Sequence, residues 1–122
     1  MTDDPMITDR TDNFSPEAST IRGAVLLVNL FTPKPGQAHD FIRAQTSEYV
    51  RLHGKVKGWI GNRLGRAVSG GQIVNVAAFD TLDDYNAWRA SDLFREHVEV
   101  IRPFVAGSAP GMYEIVYAAG NL

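Results

Sequence analysis

Cysteine does not occur anywhere in the 122-residue sequence, which excludes a disulfide framework, thiol chemistry and zinc sites built on thiolates. A reducing compartment is the simple expectation. Long apolar runs are lacking too. The longest, GAVLLVNLF from Gly23 to Phe31, falls well short of the roughly 20 residues that span a bilayer. The chain opens acidic, with neither a basic segment nor an apolar stretch of signal-peptide type. We therefore expect a cytoplasmic protein without a membrane partner. Nor is there an excess of positive charge: the formal net charge is -2. The arginines from Arg43 to Arg66 and from Arg89 to Arg102 are interleaved with acids and apolar residues. No concentrated basic face meets a phosphate backbone, and no nucleic-acid partner is expected.

What is present is the composition of one globular domain, 44% hydrophobic and 21% charged. Met1 to Arg22 is rich in Asp, Thr, Ser and Pro and follows no period; it reads as a flexible N-terminal arm ahead of a domain over residues 23–120. A first strand runs from Gly23 to Thr32 and is stopped by PKPG, whose prolines remove ladder donors. In QAHDFIRAQTSEYVRLH, residues Ala38, Phe41, Ile42, Gln45, Tyr49 and Leu52 recur at spacings of three and four, the stripe of an amphipathic helix that Gly54 ends. WIGNRLGRAV and QIVNVAAFD are two extended runs around SGG, a hairpin signal.

Thr81, with Asp84 three residues on, is the N-cap pattern of a further helix, and Ser91 caps another helical piece in which Phe94, Val98 and Ile101 share a face. Pro103 and Gly107 are expected to close it. GMYEIVYAA, Gly111 to Ala119, alternates as a last strand with apolar groups on both faces. The order β-α-β-β-α-β predicts an α+β, ferredoxin-like fold: a four-stranded antiparallel sheet with helices on one face. A sheet that is apolar on both faces and covered on one should bury the other against a second copy, so a homodimer is expected.

Three asparagines interrupt apolar strands. Asn75 shares a strand face with Ile73, Ala77 and Phe79; Asn29 lies among Val25, Leu27 and Phe31; Asn62 lies among Ile60 and Leu64. Burying such an amide without partners costs roughly 1 to 3 kcal/mol, so each requires either a structural partner or a ligand. For Asn62 a structural partner is the better expectation. For Asn75 and Asn29 the following helix presents Tyr85 beside the small residues Ala77 and Ala78, and a pocket between sheet and helices suits a small aromatic ligand.

The stretch LVNLFTPKPGQAHDFI, then GWIGNRLGR, then IVNVAAFDTLDDYNAWRASDLFREH resembles the antibiotic biosynthesis monooxygenase family of dimeric α+β barrels, over about Gly23 to Ala119. The resemblance implies the dimeric α/β barrel and, from the family's cofactor-free members, oxidation of polycyclic phenols or anthrones of polyketide pathways to quinones. Their motif is an Asn on the third strand, a Trp four residues later and a Tyr six residues after that. Asn75 and Tyr85 stand at the first and last positions, and Phe79 replaces the tryptophan. Arg95 and Arg102 both compete for an arginine that some members carry on the second helix. A haem-degrading branch combines an Asn on the first strand, matched by Asn29, with a Trp that is again Phe79 here. Its haem-ligating His would fall near Trp88 and Arg89, so haem ligation is disfavoured.

The resemblance thus implies a cofactor-independent monooxygenase that oxidises an electron-rich phenol, anthrone or quinol with O2, without metal or cofactor. Asn75, with Asn29, would donate to a developing oxyanion. Tyr85 would relay a proton, and His97 is a candidate general base. Phe79, Phe31 and Phe94 would form apolar walls. The rival reading is a non-oxidative polyketide-binding or cyclase-like barrel with the same pocket. His39 and His53 flank the first helix and read as surface residues, no spacing suggests a metal site, and Trp59 and Trp88 read as core.

Overall fold

The computed structural model describes Ile21 and residues 23–121; the arm expected over Met1 to Arg22 lies outside the described residues except for Ile21. The elements in chain order are β1 (Val25–Pro33), α1 (Ala38–Leu52), β2 (Trp59–Arg66), β3 (Ile73–Phe79), α2 (Leu82–Arg89), α3 (Asp92–Ile101), a 3-10 turn (Arg102–Phe104) and β4 (Val105–Glu114). The strands form one antiparallel sheet in the order β2-β3-β1-β4. This is the ferredoxin-like arrangement expected from the element order.

The local chemistry of the helix starts follows the sequence. Thr81 accepts a hydrogen bond from the Asp84 backbone N–H at 3.0 Å, and Ser91 accepts one from Phe94 N–H at 3.1 Å, each satisfying an orphan donor of a first turn. Between them the chain bends, and Ser91 Oγ donates to the Trp88 carbonyl at 2.6 Å, tying α3 to the end of α2. Gly58 sets where α2 begins. Its carbonyl accepts from Asp80 N–H at 2.7 Å, its φ is +79°, and a Cβ there would meet the Asp84 carboxylate at 2.3 Å. Only glycine fits so close an approach.

Register decides which residues face the helices. On β3, Ile73, Asn75, Ala77 and Phe79 are buried while Val74, Val76 and Ala78 are half-buried on the opposite side. On β1 the buried set is Val25, Asn29, Phe31 and Pro33. Two core clusters lie under the helices. One joins Phe31, Phe41, Ile73, Val98, Ile101 and Val105; the other joins Val25, Ala77, Phe79 and Tyr85, with Ile21 packed against it.

The last strand differs from the expectation. It begins at Val105, directly after the 3-10 turn, and ends at Glu114. The small residues and proline of VAGSAPG carry no alternation, yet they pair along β1, with Pro110 opposite Asn29. Proline is tolerated because β4 is an edge strand. Ile115, Val116 and Tyr117 consequently lie past the strand and are exposed, so they do not carry the case for a second copy. Leu26 and Val28 of β1, Val74 and Val76 of β3 and Tyr113 of β4 share by register the sheet face that no helix among the described residues covers.

Strand β2 also departs from simple alternation. Its pairing with β3 shifts between Trp59, opposite Phe79, and Gly61, opposite Ala78. This bulge extrudes Ile60, which is 58% exposed, so Ile60 does not share the inner face with Asn62 and Leu64 as strict parity predicts. The extra residue lets Trp59 and Asn62 point inward together.

Candidate active site

Between the inner sheet face and the three helices lies a cavity with about 90 Å³ open to the centre of a water molecule, room for several waters. The seven residues given a catalytic or wall role from the sequence line it: Asn29, Phe31, Asn75, Phe79, Tyr85, Phe94 and His97. The sheet floor supplies Asn29, Asn75 and Asn62 from three adjacent strands, with Asn29 directly paired with Asn75. Helix α1 supplies Gln45 and Tyr49, α2 supplies Tyr85, Trp88 and Arg89, and α3 supplies Phe94 and His97.

The amides are oriented. Asn62 Nδ2 donates to Asn75 Oδ1 at 3.1 Å, which occupies the acceptor of Asn75 and leaves its Nδ2 as the group available to a ligand. Asn62 thus has the structural partner expected for it. Asn29 and Asn75 are 9% and 8% exposed, so both amides belong to the interior. Asn29 Oδ1, Gln45 Oε1 and Tyr49 Oη are buried without a hydrogen-bond partner. Each such group costs roughly 1 to 3 kcal/mol if it stays unpaired. Three of them lining one cavity mark a place where water or a polar ligand completes the bonding.

The titratable groups are tuned by burial. Desolvation pushes the Tyr49 phenol far up its range, and the neighbouring Asn62 draws it back slightly without making a well-formed bond. Burial likewise raises Tyr85, with a counteracting pull from the Arg89 charge. Both phenols stay protonated at neutral pH and keep an O–H to offer a ligand. Tyr85 stands edge-on to Phe79, ring centroids 5.5 Å apart, so the phenylalanine at the family's tryptophan position forms an aromatic wall but has no N–H to donate.

His97 is 12% exposed in its side chain, and its Nδ1 lies 3.0 Å from Glu48 Oε1. Desolvation pushes its pKa down, against the pull of Glu48. Nothing in the sequence singles out Glu48, which lies on α1, 49 positions away, among polar residues of the helix. Trp59 and Trp88, read as core, line the cavity as well. Trp88 packs edge-on against Phe94 at 5.4 Å between ring centroids, so no iron ligand stands where a haem-ligating histidine would be expected. Neither Arg95 nor Arg102 reaches the cavity: Arg95 pairs with Asp92 and Arg102 with Glu99 on the outside of α3. The arginine that does reach it is Arg89. His39 and His53 are exposed. Among the described residues no cluster of three or more His, Asp or Glu side chains is placed to hold a metal, and no helix is long and apolar enough to cross a membrane.

Comparison with known proteins agrees with this architecture. SnoaB, a cofactor-independent oxygenase from Streptomyces nogalater, is 20% identical with a TM-score of 0.70, over 81% of this chain and 99% of its own. A provisional antibiotic biosynthesis monooxygenase from Bordetella bronchiseptica is 18% identical with a TM-score of 0.71, over 79% of this chain and 100% of its own. Another from Caulobacter crescentus CB15 is 16% identical with a TM-score of 0.70, over 79% of this chain and 92% of its own. At these identities the likeness establishes the fold. No protein of curated function matches this chain. The family model for antibiotic biosynthesis monooxygenase matches residues 24–100, well over half of the chain, and the chain belongs to that family.

Proposed function

We propose that this protein is a cofactor-independent monooxygenase that oxidises an electron-rich phenol, anthrone or quinol, a polyketide intermediate among the candidates, to a quinone with O2. The observation that carries this reading is the convergence of oriented amides, protonated phenols and a neutral imidazole on one largely apolar cavity. Such a substrate supplies its own electrons. For an anthrone, a ring CH2 becomes C=O, four electrons pass to O2, one oxygen atom enters the product and the other leaves as water. The protein has to bind the ring, ionise it, stabilise the anion and exclude bulk water. Asn75 Nδ2 is the donor for the developing oxyanion, with Asn29 beside it, a type of contact worth roughly 2.7 to 4 kcal/mol in a dry site. In this reading Tyr85, which lines the cavity, relays a proton to the peroxy oxygen. Phe31, Phe79 and Phe94 supply flat apolar walls.

The active species in this reading is a homodimer whose helix-free sheet faces meet. Leu26, Val28, Val74 and Val76 give that face an apolar centre with no helix among the described residues over it, which a second copy covers.

The test is oxygen uptake by metal-free and flavin-free protein with a panel of anthrones and hydroquinones. The expected result is uptake matched one to one by product, with one atom of labelled O2 entering an anthrone as its new carbonyl or a hydroquinone as a new ring oxygen, and the other atom leaving as water. Tight binding without uptake would replace this reading with that of a non-oxidative polyketide-binding or cyclase-like barrel. A Soret band on addition of haemin, together with haem breakdown, would replace it with a haem oxygenase.

A further inference from the structure

Behind the helical wall of the cavity lies a chain of charged groups that the reading above leaves without a role. Glu48 on α1 is only 4% exposed. Arg51 grips it with two hydrogen bonds, Nε to Oε2 and Nη2 to Oε1, both 2.8 Å, and reaches Glu96 at 3.4 Å with Nη1. On its other side Glu48 Oε1 lies 3.0 Å from Nδ1 of His97, which comes from α3. One carboxylate therefore links a surface-reaching guanidinium to an imidazole in the cavity lining.

At 3.0 Å a single proton lies between the carboxylate oxygen and Nδ1. The bidentate guanidinium holds the Glu48 carboxyl below the usual carboxylate range, more strongly than burial raises it, with further help from His97. The proton therefore belongs to the ring. Desolvation keeps the imidazole from taking up a second one at neutral pH. A neutral ring with its proton on Nδ1 carries its lone pair on Nε2, and among the described residues Nε2 has no protein partner.

We propose, resting on the oxygenase reading, that Glu48 is a positioning residue. It fixes His97 as the Nδ1–H tautomer, so that Nε2 faces the bound substrate as the base that ionises it, and Arg51 holds Glu48 in place. The substrate O–H, or the acidic C–H of an anthrone, gives its proton to Nε2, and the imidazolium so formed is stabilised by the Glu48 carboxylate, which itself stays unprotonated. The substrate anion passes one electron to O2 and the two radicals combine at carbon. The proton then returns from Nε2, relayed by the Tyr85 hydroxyl, to the outer peroxy oxygen. Loss of water from the hydroperoxide then leaves the carbonyl. Of the other ionisable groups around the cavity, Tyr85 and Arg89 come from α2, Tyr49 and Arg51 from α1, and Glu96 is on the same helix as His97. The sheet contributes no ionisable side chain to it, only the amides Asn29, Asn62 and Asn75 among apolar residues.

A buried Glu–Arg–His chain also pins α1 to α3, and a purely structural tie must be told apart from a catalytic one. Two measurements on the full chain do so. Nitrogen-15 imidazole shifts report the tautomer of His97 without any substrate: Nδ1–H is expected in the wild type, with the preference weakened in Glu48→Gln, whose amide can also donate to Nδ1. The pH profile of oxygen uptake with a model hydroquinone reports the base. Its acid limb should lie below pH 6.5, the ordinary histidine value, and vanish in His97→Gln as kcat falls by roughly 100-fold or more. In Glu48→Gln the limb should move to still lower pH, since a charge that raises the His97 pKa is gone, and kcat should drop by about 10- to 100-fold with little change in KM. Glu48→Asp should restore part of the loss.

An Nε2–H tautomer in the wild type, or a Glu48→Gln enzyme with an unmoved limb and unreduced kcat, overturns the proposal. The wild-type tautomer and profile decide it even if Glu48→Gln does not fold. If the wild type takes up no oxygen, the oxygenase reading falls, and the tautomer alone still shows whether the dyad is built as described.

Discussion

Asn62 holds Asn75 by its side-chain oxygen, Nδ2 to Oδ1 at 3.1 Å, across the β2–β3 pair. The bond turns the amide nitrogen of Asn75 into the site's unclaimed donor, which is the polarity an oxyanion requires. Removing it by Asn75→Ala should lower turnover by roughly 100-fold or more, with only a small change in melting temperature. Asn62→Ala removes the orientation but leaves the donor. Losing one net hydrogen bond of roughly 1.4 kcal/mol corresponds to about tenfold in rate. Steady-state kinetics on both variants, beside thermal melts, check the order. Were Asn75→Ala to cost stability but keep activity per folded molecule, the amide would be structural.

Tyr85 is buried, raised in pKa by desolvation and stacked edge-on to Phe79. Tyr85→Phe keeps the ring and its packing and removes the hydroxyl alone. We expect kcat to fall while KM and the melting temperature stay near wild type, because a proton relay acts after binding. A rise in KM at constant kcat would instead make the hydroxyl a binding group.

Gly58 adopts φ +79° against the Asp84 carboxylate. Gly58→Ala should cost roughly 1 to 3 kcal/mol from the left-handed backbone and displace the first turn of α2. Because that helix carries Tyr85, Trp88 and Arg89 into the cavity, substrate affinity should fall along with stability, which a denaturant melt and a binding titration read separately.

Much of this arrangement was legible in the chain. Strand and helix periods, the Thr81 and Ser91 caps and the Gly-Gly hairpin each have a local cause. Gln45 and Tyr49 were visible as members of an apolar stripe, although not as the cavity's orphaned polar groups. What escaped has non-local causes. The start of β4 is set by pairing with β1 across an edge that accepts Pro110, and nothing in VAGSAPG alternates. The bulge that removes Ile60 from the inner face and admits Trp59 depends on β3. Glu48 looks like an ordinary helix-surface acid until α3 brings His97 to it. Arg95 lies on, and Arg102 just past, the helix where the pattern expects an arginine, yet they pair with Asp92 and Glu99 away from the cavity, while Arg89 lines it.

The helix-free sheet face offers a direct test of assembly. Val28 and Val76 stand opposite one another at its centre, whereas Ile115 and Val116 lie beyond β4. Val76→Glu or Val28→Lys should convert a dimer to monomers in sedimentation at micromolar concentration, because burying an unpaired charge at an apolar interface costs several kcal/mol. The same charge placed at Val116, which is 85% exposed, should have less effect. A wild-type protein that sediments as a folded monomer would remove the dimer from the reading.

The buried Glu48–His97 pair makes a prediction about acid. Glu48 has its pKa lowered from 4.5 in the folded state, chiefly by Arg51. It therefore adds stability above the unfolded pKa, and that contribution is lost as pH falls through the folded one. His97 has its pKa lowered from 6.5 by burial. Below pH 6.5 the unfolded chain takes up that proton before the folded chain does, so stability again falls with acid. Both signs agree. Denaturant midpoints should be level above pH 7, begin to drop below about 6.5 as the histidine is engaged, and drop further below about 4.5. His97→Gln should flatten the first drop and soften the second only partly, because Arg51 is the larger cause of the lowered Glu48 pKa, and Glu48→Gln should weaken the second. A midpoint that holds constant between pH 7 and 5 in the wild type would mean that His97 titrates freely, and the neutral, Glu48-bound imidazole on which its use as a base depends would have to be given up.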